Sequence, residues 1–213
     1  MKAVVVLPTK NEEENIEYMV NKIRNLKLPL FVVDEHSTDK TLSIAKKLKV
    51  EVYQRDGSGK GYGVRKAIEI ALKKGYDIII LIDCDRTYPS EYIPTLLKYF
   101  PKYDMVVGAR GMGHVRPLHR LPNIVHTESI NLLYGANLKD INSGLRAFKV
   151  NKLKGLDAGG FDIEAQITTK ALKRRLRIKE LPIEYKKRTG ESKIRIKDGF
   201  DILSRIFIER FRR

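Results

Sequence analysis

Short apolar runs alternate with amphipathic segments through the first half of the chain. The apolar runs predict strands at Ala3–Leu7, Leu30–Asp34, Val50–Gln54, Asp77–Ile82 and Asp104–Gly108. Between them, apolar residues at helical spacing predict helices at Glu12–Asn25, Thr38–Leu48, Lys60–Lys74 and Ser90–Tyr99. This alternation is typical of an α/β fold with a mostly parallel central sheet flanked by helices.

The second half of the chain has a less regular pattern. A basic stretch interrupted by Gly and Pro, Arg110–Pro122, predicts a loop, and Asn123–Tyr134 predicts a helix. Further strands are predicted at Gly144–Val150 and Ile178–Tyr185, with a helix at Asp162–Lys173 between them. We therefore expect one domain over residues 1–197.

Residues 198–213 predict a basic amphipathic helix after that domain. Its apolar face is formed by Phe200, Leu203, Ile206, Phe207 and Phe211, and its arginines lie mostly outside that face. A helix of this kind either packs on the domain or lies in a membrane interface.

Charge and composition narrow the class of partner. The 213 residues carry a formal net charge of +16, which predicts attraction to nucleic acid, anionic lipid headgroups or phosphorylated substrates. Trp is absent and aromatic residues make up only 8% of the chain, so a basic nucleic-acid-binding domain is the weaker alternative and we expect no nucleic acid partner.

The apolar runs and the cysteine content indicate the compartment. Each apolar run is far shorter than the roughly 20 residues that span a bilayer, and none forms a signal peptide. The single cysteine, Cys84, excludes an intrachain disulfide and suits a reducing compartment. We expect a cytoplasmic protein that is peripheral at the cytoplasmic face of the membrane.

Polar residues follow three predicted strands directly. They are Pro8–Glu12, Asp34–Asp39 and Asp83–Asp85. Because the carboxyl ends of parallel strands meet at one edge of a sheet, these segments predict a nucleotide-binding site. Carboxylates such as those of Asp83 and Asp85 hold a hard divalent cation, Mg²⁺ or Mn²⁺, which neutralises a diphosphate. A solvated acidic turn is the alternative for an isolated pair.

Three further residues have two interpretations each. Asp34 accepts hydrogen bonds from a nucleobase or ribose, or it caps the following helix. Glu12 lines a base pocket, or it belongs to the first turn of a helix. Lys60 lies in Gly57-Ser58-Gly59-Lys60-Gly61, which lacks the spacing of a P-loop, so it either reaches a nucleotide or belongs to a plain turn.

Six motifs in order resemble family 2 glycosyltransferases of the GT-A fold, and within them the dolichyl-phosphate mannose synthase branch. The motifs are Pro8-Thr9-Lys10-Asn11-Glu12, Asp34-Glu35-His36-Ser37-Thr38-Asp39, Gly59-Lys60-Gly61, Asp83-Cys84-Asp85, Ser143-Gly144-Leu145-Arg146 and Arg188-Thr189-Gly190-Glu191-Ser192-Lys193. The resemblance runs through almost the whole chain. It implies a Rossmann-like nucleotide-binding fold and a metal-dependent hexosyltransferase.

The resemblance also implies roles for individual residues. The nucleotide sugar is contacted by Pro8, Lys10, Glu12, Asp34, Lys60, Asp83, Arg188, Ser192 and Lys193, and the metal by Asp83 and Asp85. The acceptor phosphate is surrounded by Arg110, Arg116, Arg120, Ser143 and Arg146. Asp162 or Glu164 is the candidate general base if the acceptor is a hydroxyl, and both are also explained as acids at the start of a helix.

We therefore expect inverting transfer of a hexose from a nucleotide sugar, best matched by GDP-mannose, to a polyprenyl (dolichyl) phosphate. The alternative is transfer from UDP-glucose or another nucleotide sugar to a hydroxyl acceptor. The expected partners also include an anionic membrane surface and a separate membrane protein.

Overall fold

The computed structural model describes residues 1–111, 113, 117–186 and 195–212, and a mixed sheet runs through the middle of them. Its strands are β1 (Ala3–Thr9), β2 (Leu30–Asp34), β3 (Glu51–Gln54), β4 (Ile78–Leu81), β5 (Met105–Arg110), β6 (Arg146–Lys149) and β7 (Ile178–Ile183). Their order across the seven-stranded sheet is β3-β2-β1-β4-β6-β5-β7.

All strand pairs are parallel except those of β6, which runs antiparallel to both β4 and β5. The expected α/β fold with a mostly parallel central sheet flanked by helices is thereby confirmed. The direction of β6 was not predicted. It brings the segment that precedes β6 to the edge at which β4 and β5 end.

Helices cover the sheet. They are α1 (Ile16–Asn25), α2 (Thr41–Lys47), α3 (Lys60–Lys73), α4 (Ile93–Leu97), α5 (Pro117–Tyr134), α6 (Ile163–Lys173) and α7 (Ile196–Phe211), with short 3-10 turns at Ser90–Tyr92 and Val150–Lys152. Among the described residues no helix combines the length and the apolar character that crossing a membrane requires.

Several helix predictions were wrong in their boundaries, and the helices predicted from Glu12 and Thr38 begin at Ile16 and Thr41. The helix predicted from Asn123 begins at Pro117, because a proline is well tolerated in the first turn, where its missing N–H costs no hydrogen bond. The second proline, Pro122, lies inside the same helix. The single helix predicted over Ser90–Tyr99 is a 3-10 turn followed by the short α4.

Side chains of successive strand residues enter two apolar cores, one on each face of the sheet. In β1, Val4 and Val6 pack into the core that includes residues of α3 and α6, whereas Val5 and Leu7 pack with α1 and α4. Each of these four side chains is fully buried, which contributes on the order of 1.5–3 kcal/mol per residue to stability. The sheet is therefore a rigid base for the loops at its edge.

The C-terminal helix packs on the domain. Ile202 and Ile206 of α7 are buried in a third apolar cluster together with Ile130 of α5 and Ala165 of α6. The expected boundary between residues 197 and 198 falls inside α7. Three residues of the expected apolar face remain exposed on the packed helix: Phe200, Phe207 and Phe211.

Candidate active site at the carboxyl ends of the strands

The turn after β4 carries the two acidic residues expected to bind a metal. Asp85 is almost fully buried, and its Oδ1 accepts hydrogen bonds from the Thr87 amide (3.1 Å) and hydroxyl (2.6 Å). Cys84, between the two carboxylates, is buried in the apolar core. Cys84 and Asp85 are therefore both buried, the first among apolar side chains and the second against Thr87.

Gly144 lies against the carboxylate of Asp83. A Cβ atom at residue 144 would lie 2.6 Å from Asp83 Cγ and would overlap its Oδ2. The amide of Gly144 donates to the hydroxyl of Tyr88 at 2.7 Å, and burial raises the pKa of that hydroxyl. Gly144 belongs to the Ser143-Gly144-Leu145-Arg146 motif, but the sequence did not predict its contact with Asp83.

Lys60 connects the two halves of the chain. Its ammonium Nζ lies 2.7 Å from Asp83 Oδ1 and 2.7 Å from Glu164 Oε1. Although burial favours the neutral amine, the two carboxylates raise the pKa of Lys60 above its usual value. The structure therefore brings Lys60, Asp83 and Glu164 together, as a polar cluster at the edge of the sheet.

The glycines on either side of Lys60 fix its backbone. The Gly61 amide donates to the carbonyl oxygens of Gly159 (3.0 Å) and Gly160 (3.1 Å). A Cβ atom at Gly59 would overlap the carbonyl oxygen of Gly159, and one at Gly61 would overlap that of Ala158. This close approach docks the start of α3 onto the loop that leads into α6.

The nucleotide side of the site is formed by the segments after β1 and β2. Asp34 is 0% exposed, and its carboxylate accepts from the Ser37 amide (2.8 Å), the Ser37 hydroxyl (2.5 Å) and the Thr9 hydroxyl (3.2 Å). Pro8 lies near the end of β1, paired in register with Val33. Asp34 thus holds the loop after β2 against the end of β1.

Glu12 lies before a helix and not in its first turn. Helix α1 begins at Ile16, and the Glu12 carboxylate accepts from the Asn15 side chain at 2.8 Å. The Glu12 amide donates to the Thr41 hydroxyl at 2.8 Å. Glu12 thus precedes α1, and its carbonyl oxygen accepts from the Ile16 amide at 2.9 Å.

A buried ion pair beside this loop was missed by the sequence analysis. Glu35 pairs with Arg55, which follows β3, and it also accepts from Lys10 Nζ (2.7 Å) and the Ser58 hydroxyl (2.7 Å). Burial lowers the pKa of Arg55 to about 10. The signal available in the sequence was an acidic and a basic residue directly after two neighbouring strands. Lys10 therefore belongs to a network that joins the ends of β1, β2 and β3.

The acceptor side contains a fixed arginine at the end of β5. Arg110 donates to the Asp140 carboxylate through Nε (2.7 Å) and Nη2 (2.8 Å), and its guanidinium lies 5.2 Å from the Tyr185 ring centre. It lines a cleft of about 570 Å³ together with Thr127 of α5. On the exposed side of α5, Arg120 donates to the Gly113 carbonyl at 3.0 Å.

Two residues expected at the acceptor phosphate lie in the interior instead. Arg146 is 1% exposed, and its guanidinium donates to the carbonyl oxygens of Ser143 (2.7 Å), Ile141 (2.9 Å) and Glu164 (3.1 Å). The Ser143 hydroxyl donates to the Gly108 carbonyl at 2.6 Å. Because these donors are used inside the fold, neither Ser143 nor Arg146 is placed to contact an acceptor phosphate, contrary to the expectation. Their geometry supports a role in positioning the loop before β6.

Both candidate general bases are paired with cations. Asp162, at the N-cap of α6, accepts from Arg205 Nε at 2.8 Å, and Glu164, in the first turn of α6, pairs with Lys60. Four of the expected site residues, Arg116, Arg188, Ser192 and Lys193, lie outside the described residues.

The carboxylates of Asp83 and Asp85 suit a hard divalent cation. Within the described parts of the chain, no group of three or more His, Cys, Asp or Glu side chains is arranged to hold a metal ion. Magnesium sites often use one or two carboxylates and take their other ligands from substrate phosphates and water. The two aspartates fit a site of that kind, completed by a nucleotide.

Comparison with known proteins finds relatives that cover most of the chain. The chain is 31% identical over 198 residues to the dolichyl-phosphate hexose transferase of Haloferax volcanii, covering 89% of this chain and 85% of that protein. It is 28% identical over 217 residues to the undecaprenyl-phosphate mannosyltransferase of Micrococcus luteus, covering 91% of this chain and 88% of that protein.

A solved structure shows the same fold. It is glucosyl-3-phosphoglycerate synthase from Mycobacterium tuberculosis in complex with Mn²⁺, UDP and glucosyl-3-phosphoglycerate, with a TM-score of 0.81, 20% identity, and coverage of 98% of this chain and 79% of that one. The expected GT-A fold is thus confirmed. A model of glycosyl transferase family 2 matches residues 4–156, and the chain belongs to that family.

Proposed function

We propose that this protein transfers a hexose, with inversion, from a nucleotide sugar to a polyprenyl phosphate, and that GDP-mannose is the donor. Membership of glycosyl transferase family 2 supports the transfer, and the named activities of the Haloferax and Micrococcus relatives support a lipid phosphate acceptor.

The observation that supports a phosphate acceptor is that both acidic residues at the start of α6 form ion pairs with basic side chains. Asp162 is bound by Arg205 and Glu164 by Lys60, so neither carboxylate is placed as an unengaged proton acceptor. A hydroxyl acceptor requires a general base, whereas a phosphate is already ionised and requires none. The arrangement therefore favours a phosphate acceptor over a hydroxyl.

On the donor side, the loops after β1, β2 and β3 bind the nucleoside, and Pro8, Lys10, Glu12 and Asp34 shape this pocket. When bound, a divalent cation held by Asp83 and Asp85 neutralises the charge that develops on the departing diphosphate. Arg188, Ser192 and Lys193 follow β7 and are proposed to contact the same phosphates.

On the acceptor side, Arg110, Arg116 and Arg120 hold the lipid phosphate. Asp140 takes the Nε donor and one Nη2 donor of Arg110 and fixes the plane of its guanidinium, and the donors that remain on Nη1 and Nη2 suit a phosphate oxygen. A phosphate oxygen then attacks the anomeric carbon from the face opposite the leaving nucleoside diphosphate. Ser143 and Arg146 position the loop between these two sides.

The acceptor reaches this site from a membrane surface. Exposed apolar side chains occur on α5, at Leu121 and Ile124, and on α7, at Phe200 and Phe211. The two helices are in contact, since His126 Nε2 lies 3.0 Å from the Gly199 carbonyl oxygen. Apolar residues on two neighbouring helices, in a chain with a net charge of +16, fit an anionic bilayer, where each nearby Lys or Arg contributes about 1 kcal/mol.

The test of donor and metal is titration calorimetry with GDP, GDP-mannose, UDP and UDP-glucose, each with and without Mn²⁺ or Mg²⁺. We expect GDP and GDP-mannose to bind only when the metal is present, and we expect this binding to be lost in Asp85→Ala. Binding of the uridine pair would change the donor but keep the enzyme class. Binding of none of the four would overturn the proposed function.

The test of acceptor class uses Asp162→Asn and Glu164→Gln with a polyprenyl phosphate and labelled donor. Because a phosphate acceptor needs no base, we expect each variant to retain kcat, measured at saturating donor and metal, within about tenfold of wild type. A loss of about a thousandfold in kcat for either variant, at unchanged donor affinity, would favour a hydroxyl acceptor instead.

A further inference from the structure

The ammonium group of Lys60 occupies a position beside the carboxylate that is expected to bind the metal. Its Nζ is 2.7 Å from Asp83 Oδ1, a distance at which it neutralises much of the negative charge of that group. The Lys60 side chain is 16% exposed, and Glu164, on its other side, is more deeply buried. A divalent ion bound to Asp83 would lie close to this positive charge.

We propose that Lys60 is a resident counter-cation that blocks metal binding at Asp83 until a nucleoside diphosphate arrives with the metal. This inference rests on the proposed function, because it assumes that Asp83 and Asp85 hold the metal. Two cations beside one carboxylate repel each other, and the diphosphate supplies the negative charge that removes this repulsion.

The fold lets the ammonium move without moving the backbone. Gly59 and Gly61 are docked against the loop before α6, so the start of α3 stays in place. The four-carbon stem of a lysine is flexible, and its charge is a compact point. Lys60 can therefore turn away from Asp83 and keep its pair with Glu164, which remains 2.7 Å away as its second partner.

This arrangement gives Glu164 a function that does not require proton transfer. Without a second carboxylate, displacing Lys60 from Asp83 would leave a poorly solvated charge, which is costly. With Glu164 present, the displaced ammonium remains paired. Lys60 is thus a positioning residue that makes the metal and the nucleotide bind together as one unit.

The experiment is a titration of the whole chain with Mn²⁺ alone, in the absence of nucleotide, with free Mn²⁺ measured by electron paramagnetic resonance. Removing one positive charge in direct contact with a metal ligand is expected to tighten Mn²⁺ binding at least about tenfold. We expect this gain in Lys60→Met and in Lys60→Gln, and we expect it to disappear when Asp83→Asn is added to either.

Lys66→Met is the matched control, because Lys66 lies on the same helix and pairs with Glu69 at the surface (3.2 Å). It removes the same charge but is expected to leave Mn²⁺ affinity at the wild-type value. Lys60→Gln keeps hydrogen-bonding capacity at the site, so its Mn²⁺ affinity tests the inference if Lys60→Met does not fold.

The outcomes separate this inference from the proposed function. Unchanged Mn²⁺ affinity in both Lys60 variants, with Mn²⁺-dependent GDP binding intact in wild type, would overturn the counter-cation and leave the glycosyltransferase proposal standing. Absence of metal-dependent nucleotide binding in wild type would overturn the proposed function, and with it the inference. A gain that survives Asp83→Asn would also overturn the inference.

Discussion

The backbone of Gly144 is in contact with the carboxylate of Asp83, so that a methyl group at residue 144 would lie 2.6 Å from Asp83 Cγ. The two residues come from different halves of the chain. Asp83 lies two residues after the end of β4, whereas Gly144 lies two residues before the start of β6. The position of a proposed metal ligand is thus set by the absence of a side chain sixty-one positions further along the chain.

Gly144→Ala should impair the site while the fold remains. Because the new methyl group displaces the Asp83 carboxylate, we expect Mn²⁺-dependent GDP affinity to fall at least about tenfold, which corresponds to roughly 1.4 kcal/mol. The measurement is calorimetry on the folded variant.

Gly199→Ala is the control for that substitution, because a Cβ atom at residue 199 would have no neighbour within 4 Å. Nucleotide affinity should be unchanged in this variant. Equal affinity in Gly144→Ala would show that the Asp83 carboxylate is not constrained by residue 144.

Arg146→Met should lower stability strongly. The substitution removes the Arg146 donor from the buried carbonyl oxygens of Ser143 and Ile141 and one of the donors to that of Glu164, and we expect the free energy of unfolding to fall by roughly 2–5 kcal/mol. Urea unfolding followed by circular dichroism measures it.

Arg120→Met provides the contrast on the acceptor side. Arg120 is exposed, so its replacement should change the free energy of unfolding by less than about 0.5 kcal/mol. It should instead raise KM for the polyprenyl phosphate. If Arg146→Met left the free energy of unfolding unchanged and raised only the KM for the polyprenyl phosphate, the result would favour the original hypothesis that Arg146 contacts the acceptor phosphate.

The stability contributed by Asp104 should depend on pH. Its carboxylate accepts from Lys149 Nζ (2.8 Å) and the Arg177 amide (3.1 Å), and although burial opposes the charge, these partners lower the pKa from 3.8 to about 2. A folded-state pKa below the unfolded value gives stability that is present above about pH 4 and lost as the pH falls toward 2.

We therefore expect Asp104→Asn to be less stable than wild type by roughly 2 kcal/mol at about pH 6, with the difference shrinking by about pH 3. Urea unfolding across that range measures it. Glu69→Gln, which removes an exposed ion pair, is the control and should change the free energy of unfolding by less than about 0.5 kcal/mol at about pH 6. A difference for Asp104→Asn that stayed constant with pH would contradict the assignment.

Replacing Phe200 and Phe211 with Ser should weaken membrane association. The two side chains are 68% and 78% exposed on α7, and each would lose its burial in the bilayer interface. Co-sedimentation with vesicles of anionic phospholipid should fall at least about tenfold. Leu72→Ser, an exposed position on α3, should bind vesicles as wild type does, and equal binding by all variants would contradict the proposed surface.

The sequence predicted the first half of the fold well because buried parallel strands are short, nearly continuous apolar runs. Leu30–Asp34 was predicted with the boundaries that β2 has, and β4 lies inside the predicted Asp77–Ile82. The antiparallel direction of β6 was missed, since an apolar run does not indicate whether its strand runs parallel or antiparallel to its neighbours.

The candidate site was predicted in part for a similar reason. Asp83 and Asp85 follow a strand directly, so their placement at the sheet edge could be expected from the order of the elements. The Lys60–Glu164 pair and the contact of Gly144 with Asp83 depend on how distant segments pack, and no local pattern reports that packing. Arg146 was expected at a phosphate because an arginine in a motif gives no indication of whether it is buried.

The insertion of β6 between β4 and β5 has a consequence for how the protein folds. Ile80 pairs with Ala147, so the central strands cannot be completed until more than two thirds of the chain is available. Contacts between residues so far apart close late, because a long loop must be ordered first. During synthesis, the nucleotide half can emerge and collapse early, but the polar cluster at the sheet edge assembles only after β6 has docked and α6 has brought Glu164 to Lys60, so binding competence comes later than the collapse of that half.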